Sequence, residues 1–391
     1  MSRAGSQQRT LLEMLGRLRP HWRSDPALPS RIDSLLSGDR RLGSRDRRLY
    51  REMIYTALRY LPWIEPLLES DAPGAARRIA WLAADSPAAH AFRAALAGDL
   101  PDCPADPAEK ARILGTDVGA LSPEWLLREC PEALEAPLRD VLLTRAPLWL
   151  RLQAADADPV LAEFESLGWA CRRSPLLGGA LQLPAGADVS RTRSYLSGRV
   201  EIQDIGSQLI LGSVGIAPGG HWLDACAGSG GKTLQLAALL GPEGRVTARD
   251  TRRTALEQLA IRTARAGLTG RIRIGAAADP EGGFDGVLVD APCTGSGTWR
   301  RAPHLRWVTS PRSLSEAATL QIRLLRENAA RVRPGGLLVY ATCSLCGTEN
   351  ESVVREFLSG AKGFLPILEG KRLLPQAHDG DYFFAASFRR S

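Results

Sequence analysis

Two cysteines in two loops carry the chemistry of this 391-residue chain. Cys293 lies in Asp290-Ala291-Pro292-Cys293-Thr294-Gly295 and Cys343 in Thr342-Cys343-Ser344. Each follows an apolar, strand-like run, 284–289 and 336–341. A third such run ends in a glycine-rich turn, Asp224-Ala225-Cys226-Ala227-Gly228-Ser229-Gly230-Gly231-Lys232. A parallel sheet gathers such strand ends at one edge, where α/β proteins bind ligands. Two thiols would then face a nucleotide-type cofactor, an arrangement for covalent chemistry rather than a structural staple.

The turn closes a strand and opens a helix. Its glycines let backbone N–H groups approach a ligand, and the helix N-terminus favours negative charge such as a carboxylate. Gly231-Lys232-Thr233 supplies the end of a phosphate-binding loop, but Cys226 stands where that motif needs its first glycine, so a phosphate loop fits poorly. Asp250, about 20 residues on, is placed as an acid that bonds ribose hydroxyls. Asp279 follows the next strand and is placed to meet an adenine edge. Together these suggest S-adenosylmethionine or a dinucleotide. For either aspartate taken alone, a cap or turn role is the simpler reading.

These groups need a scaffold. A hydrophobic fraction of 44% and a charged fraction of 24% belong to a folded globular protein, and the length calls for two or three domains. A net charge of +7 points to a polyanion partner. Lysine occurs only at Lys110, Lys232, Lys362 and Lys371, which singles out Lys232 inside the turn. Seven cysteines without regular spacing do not make a secreted disulfide framework. The polar residues 1–10 lack a signal-peptide core, and no apolar run is long enough to cross a bilayer. A cytoplasmic protein, without a membrane partner and acting as a monomer, is expected. Cys343-Ser344-Leu345-Cys346 has zinc or redox spacing, but the five histidines are scattered, so no metal is expected.

The first third reads as helical and basic. Ser44 is a plausible N-cap for a helix with Leu49, Met53, Ile54, Ala57, Leu58 and Leu61 on one face, and Arg45, Arg47, Arg48, Arg51 and Arg59 beside or opposite it. That cluster reads as a solvated face or an RNA-contact surface. Near Ala146 the pattern changes to short strands at 148–153, 180–183 and 199–202 with a helix at 158–167. From Gly219 the rhythm of strand, turn and helix repeats, which argues a doubly wound parallel sheet. Its strands are expected at 222–225, 245–248, 271–275, 284–289 and 337–341, with a terminal pair at 364–368 and 382–388. Its helices are expected at 232–240, 254–266, 313–332 and 349–358. The expected domains are therefore 1–140, helical and RNA-binding; 145–215, a small α+β connector; and 216–391, the catalytic domain.

The turn at 224–232, the loop Asp290-Ala291-Pro292-Cys293-Thr294-Gly295-Ser296-Gly297 and Tyr340-Ala341-Thr342-Cys343-Ser344 together resemble the RNA 5-methylcytosine methyltransferases, and among them the bacterial 16S rRNA (cytosine-C5)-methyltransferase B group. Arg45 to Leu68, Gln203-Asp204-Ile205-Gly206-Ser207-Gln208, Glu349-Asn350-Glu351 and Asp379-Gly380-Asp381-Tyr382-Phe383-Phe384 are similar to further segments of that group. Ser229 stands where the group usually has proline, and Cys346-Gly347-Thr348 replaces a proline-containing link. The resemblance implies a class I (Rossmann-like) methyltransferase sheet, an all-helical antiterminator-like N-terminal domain and an α+β connector.

It also implies a reaction. Cytosine C5 is a poor nucleophile, and addition of a thiolate to C6 makes it reactive toward a sulfonium methyl; this is nucleophilic catalysis. By resemblance Cys343 attacks, Cys293 assists breakdown of the adduct, Asp290 bonds the base edge or the cofactor, and Lys232 sits near the cofactor's methionine end. Cys226, Ala227, Gly228, Ser229, Gly230, Gly231, Lys232, Asp250, Asp279 and Asp290 would hold S-adenosylmethionine. The base must be unstacked to enter. Arg300, Arg301 and Arg306 follow the first cysteine loop and are expected on RNA phosphates. DNA cytosine methyltransferases attack with a Pro-Cys thiol, which keeps Cys293 as a rival nucleophile. A tRNA substrate, and a non-catalytic RNA-binding or assembly protein of the same fold, are the competing functions.

Overall fold

The computed structural model describes residues 2–84, 86–275, 279–280 and 282–391. The chain divides into two compact units, Met1–Leu143 with Arg301–Ser310, and Thr144–Arg300 with Pro311–Ser391.

The first unit is helical. Arg3–Leu18, Leu28–Gly38, Ser44–Arg59 and Ala72–Leu82 are its longer helices. Apolar residues three or four apart place one stripe of each helix inward, and Leu11, Leu15, Ile32, Met53, Ile54 and Ile79 are wholly buried together. Ser44 is the first helical residue, with Gly43 at the cap position, so the expected Ser44 cap moves by one. Arg59 is buried with the apolar face, whereas Arg51 pairs with Asp33 at 2.6 Å near the surface. Asp106 caps a further helix at Pro107–Leu114. Residues 301–310 belong here rather than to the catalytic domain. Trp307 packs against the helical core and donates from Nε1 to Leu58 O at 2.6 Å.

The second unit carries two sheets. Four short strands, β1 (Leu148–Leu152), β2 (Arg172–Arg173), β3 (Ala180–Leu183) and β4 (Val200–Ile202), pair antiparallel in the order β2-β3-β1-β4. The larger sheet contains β5 (His221–Asp224), β6 (Arg245–Ala248), β7 (Ile272–Ile274), β8 (Phe284–Asp290), β9 (Val332–Thr342), β10 (Phe364–Leu373) and β11 (Phe383–Arg390). Its order is β10-β11-β9-β8-β5-β6-β7. The strands from β9 across to β7 are parallel, and β11 and β10 turn antiparallel at the other edge.

Helices α1 (Gly231–Leu239), α2 (Arg253–Arg265), α3 (Pro311–Ala329) and α4 (Glu351–Gly360) cover the faces. Burial on both faces explains why β8 and β9 read as unbroken apolar runs; Val287, Leu288, Val289, Leu338, Val339 and Tyr340 are fully buried. Helix α3 stops at Ala329, three residues before its expected end, because Val332 already pairs with Phe284 and starts β9.

The small sheet is not an independent body. Trp149 donates to Asp379 O at 3.0 Å, and buried Gln203 accepts from Arg151 Nε at 2.8 Å while donating to Gln235 Oε1 on α1 at 2.7 Å. Glu201 of β4 is buried and paired with Arg262, at 2.8 Å, and Arg265 of α2. The connector thereby braces the two helices that flank the glycine turn.

Candidate active site

The register brings the three motif loops to one edge. β5 lies beside β8, and β8 beside β9, all parallel. The turn after Asp224, the loop after Asp290 and the loop after Thr342 therefore leave the sheet side by side.

The turn is shaped by two left-handed glycines, Gly228 at φ +53° and Gly230 at φ +91°. At Gly230 a Cβ would sit 2.1 Å from Leu259 Cδ1, so only glycine fits this close approach. Gly228 N–H donates to Asp250 Oδ2 at 2.8 Å, which ties the turn to the end of β6. Asp224 is fully buried and accepts from Thr233 Oγ1 at 2.7 Å. Burial pushes its carboxyl up to about 7. Burial, reinforced by the Asp224, Asp290 and Asp250 charges, pushes the Cys226 thiol up to about 12, which disfavours the reactive thiolate.

The residues fit a ligand bearing an ammonium, a carboxylate and ribose hydroxyls. Helix α1 begins without a side-chain cap, leaving first-turn N–H groups for a carboxylate. A Cβ at Gly231 would meet nothing closer than Gln203 Cγ at 3.9 Å, so backbone there lies open. Asp250 and Asp290 supply acceptor oxygens. Arg252 holds Asp250 through its backbone N–H at 2.8 Å and its guanidinium at 2.9 Å, which keeps that carboxyl below its usual range despite desolvation. Asp279, just past the undescribed 276–278, pairs with Arg249 at 2.6 Å and with Arg331.

Lys232 is buried at the start of α1. Its Nζ donates to Asp290 Oδ2 at 2.8 Å and lies 5.1 Å from the centre of the Phe383 ring. Asp290 closes β8, so one ion pair links the cofactor turn to the first cysteine loop.

The thiols meet. Cys293 Sγ and Cys343 Sγ are 3.4 Å apart, and both residues are partly exposed. The hydrogen bond with Cys343, followed by burial and the charges of Cys343 and Glu349, raises Cys293 well above the usual thiol range. Cys346 is buried, and among the described residues no group of three or more His, Cys, Asp or Glu could hold a metal ion. No helix among them is long and apolar enough to cross a membrane.

Beneath the cysteine loops lies a buried polar network that residue types alone did not reveal. Glu349 Oε1 accepts from Thr294 N at 2.9 Å and Gln321 Nε2 at 3.0 Å, and Oε2 accepts from Thr294 Oγ1 at 2.6 Å and from Ser344 Oγ. Asn350 donates to Ser344 O at 2.8 Å and accepts from Thr342 Oγ1 at 2.6 Å, bracketing Cys343. The only signal in the sequence was that Glu349 and Asn350 follow the second cysteine.

The arginine expectation needs correction. Arg300 is 3% exposed, and its guanidinium donates to Gly380 O at 2.9 Å and Asp379 Oδ1 at 2.7 Å. Arg306 is also 3% exposed and donates to Leu121 O at 3.2 Å and Leu142 O at 3.1 Å. Both guanidinium groups are buried on acceptors of the fold, Arg300 on a carbonyl and a carboxylate and Arg306 on two carbonyls, and not on the surface where phosphates were expected. Arg301 is exposed.

Known proteins agree with this architecture. Residues 214–389 match the model of the family described as 16S rRNA methyltransferase RsmB/F. Ribosomal RNA small subunit methyltransferase B of Salmonella arizonae is 31% identical over 287 residues, 69% of this chain and 67% of that protein. The protein of the same name from Escherichia coli is 31% identical over 292 residues, 71% of this chain and 68% of its own length. The crystal structure of PH0851 superposes with a TM-score of 0.73 at 21% identity, covering 100% of both chains. That of NSun6 from Pyrococcus horikoshii with SFG has a TM-score of 0.58 at 18% identity, covering 65% of this chain and 93% of that one. At such identities these two speak for the fold alone. With the motif loops assembled at one sheet edge and the relatives matched over most of the chain, the protein belongs to the 16S rRNA methyltransferase RsmB/F family of RNA cytosine-C5 methyltransferases and is an S-adenosylmethionine-dependent enzyme acting on RNA.

Proposed function

We propose that the chain methylates C5 of a cytosine in small-subunit rRNA through a covalent bond between Cys343 and cytosine C6. The observation that carries the proposal is the apposition of two thiols, 3.4 Å apart, beside the glycine turn. A single nucleophile needs no second thiol at that distance. S-adenosylmethionine, when bound, supplies an electrophilic methyl group on sulfur.

The chain's own groups do the rest. Cys343 Sγ, as thiolate, bonds C6 and pushes electron density to C5, which takes the methyl. Loss of the C5 proton to solvent water lets the C6–Sγ bond break, restores the C5–C6 double bond and returns the thiolate. Cys293 keeps its proton at neutral pH because its affinity for it is raised. The 3.4 Å contact supports a division of labour in which Cys293 donates its hydrogen bond to the attacking sulfur and assists adduct breakdown. Asp290 is half in reach of solvent, with a side-chain exposure of 30%, and already bonded to Lys232. In this reading it accepts from the amino edge of an entering cytosine while Lys232 holds the carboxylate in position.

Trapping decides between the thiols. Cys293→Ala should accumulate an RNA–protein adduct that survives denaturing electrophoresis, and Cys343→Ala should neither methylate nor trap. The opposite pattern would transfer the nucleophile to Cys293. Bisulfite sequencing of rRNA and tRNA incubated with the enzyme names the substrate; conversion protected only in tRNA would refute the rRNA assignment.

A further inference from the structure

We propose that Glu349 is the positioning residue that holds the two thiols opposite one another. The inference rests on the two-thiol reading above and deepens it.

Glu349 is wholly buried, and its carboxylate takes four hydrogen bonds. A carboxylate has about four acceptor sites, so all are used. Thr294 N–H and the Gln321 amide can only donate, which requires acceptors from Glu349. None of the four partners is a cation. Burying a carboxylate among neutral groups is costly, and core packing offers no reason to do it. The identity of the partners does. Thr294 directly follows Cys293, and Ser344 directly follows Cys343. Gln321 donates both to Glu349, at 3.0 Å, and to Pro292 O, at 2.9 Å, the residue before Cys293. One carboxylate thus grips the chain beside each sulfur.

Other bonds hold the loops together and Asn350 brackets Cys343, but of the bonds given above only those of the Glu349 carboxylate take the residue after each cysteine. Gly297 N–H donates to Cys343 O at 2.9 Å, and Ser296 Oγ lies 3.1 Å from Ser344 Oγ. Tyr340 Oη donates to Glu349 O at 2.6 Å and fixes the Glu349 backbone independently of its side chain. Removing the side chain should therefore leave the fold and release the cysteines from their opposed positions. The nearby negative charge also contributes, after the Cys343 hydrogen bond and burial, to keeping Cys293 protonated.

The test uses the full-length chain with Glu349→Ala and Glu349→Gln. Thiol apposition is read with phenylarsine oxide, which bridges two close thiols with loss of water and no net redox change; Cys293→Ala sets the background from other cysteines. Single-turnover methyl transfer, calorimetric S-adenosylmethionine affinity and RNA affinity are measured beside it. Glu349→Ala should lower both arsenical capture and methyl transfer, the latter by about 100-fold, as a displacement of about 1 Å does. Both affinities should stay within about twofold of wild type. Glu349→Gln keeps the shape and an acceptor for Thr294 N–H, while the two hydroxyls can turn to accept, so it should recover most of both.

Wild-type capture and rate in Glu349→Ala would overturn the proposal, as would loss of cofactor affinity in step with the rate. If Glu349→Ala does not fold, Thr294→Val and Ser344→Ala each remove one arm, and wild-type values in both would equally overturn it. Methylation by Cys343→Ala would instead sink the two-thiol reading, so the two failures are distinguishable.

Discussion

Gly230→Ala tests whether backbone sterics fix the cofactor turn. Two costs are expected. The residue has φ +91°, a left-handed conformation that costs a side chain about 1–2 kcal/mol. The new Cβ would lie 2.1 Å from Leu259 Cδ1, 3.3 Å from Cγ and 3.5 Å from Cβ. Leu259 is wholly buried on α2 and cannot swing into solvent. Overpacking of this kind costs about 1–3 kcal/mol, for a total of about 2–5 kcal/mol.

Gly228→Ala is the internal control. Its φ of +53° carries the backbone cost, but the nearest atom to its Cβ is Arg252 Nη2 at 3.4 Å. At 3.4 Å that contact is ordinary van der Waals distance and adds no overpacking, so about 1–2 kcal/mol is expected. A double-mutant cycle with Leu259→Ala, which alone costs about 2–5 kcal/mol, isolates the contact. The double variant should fall short of additivity by the overpacking cost, about 1–3 kcal/mol. Because the chain has two units, global unfolding is a poor readout. Native-state hydrogen exchange across residues 224–240 reports the turn and α1 directly, and calorimetry reports cofactor affinity. Equal losses in the two glycine variants together with an additive cycle would refute the steric argument.

Two other perturbations follow from the structure. Arg300→Ala should destabilise its unit by about 2–3 kcal/mol, the worth of charge-assisted bonds to Gly380 O and Asp379; hydrogen exchange near residues 379–382 checks it, and wild-type protection in Arg300→Ala would contradict the burial argument. Asp224 holds its proton more tightly in the fold than in the unfolded chain, from an ordinary 3.8 to about 7. Its favourable contribution is therefore complete below pH 3.8 and lost progressively up to about 7. Asp224→Asn should remove that loss and gain on wild type by about 4 kcal/mol between pH 4 and 7, at 1.36 kcal/mol per unit; parallel pH profiles of hydrogen-exchange protection across residues 224–240 for the two proteins would refute it.

Much of the catalytic unit was legible because its signals are local. Unbroken apolar runs mark strands buried on both faces, and glycines mark the turns that need positive φ. The expected strands at 245–248 and 284–289 coincide with β6 and β8 to within one residue. Cys293, Cys343, Lys232, Asp250 and Asp290 stand out because reactive or charged types follow such strands at their ends. Local type also misled. Arg300, Arg301 and Arg306 read alike, yet two are buried on acceptors of the fold and one is exposed. Whether an arginine faces water depends on which distant carbonyls need donors, and Leu121, Leu142 and Gly380 lie 80 or more residues away.

Residue types and their order determined the class of chemistry: two thiols, a glycine turn and acids at successive strand ends, on a parallel sheet. Tertiary structure alone decided the geometry that makes those thiols a pair. Their 3.4 Å separation comes from the adjacency of β8 and β9 and from a carboxylate six residues past Cys343 that reaches back to both loops. Strand pairing and buried hydrogen bonds join residues about 50 apart in the chain. Their energies belong to the assembled core, so no local pattern in the sequence carries them.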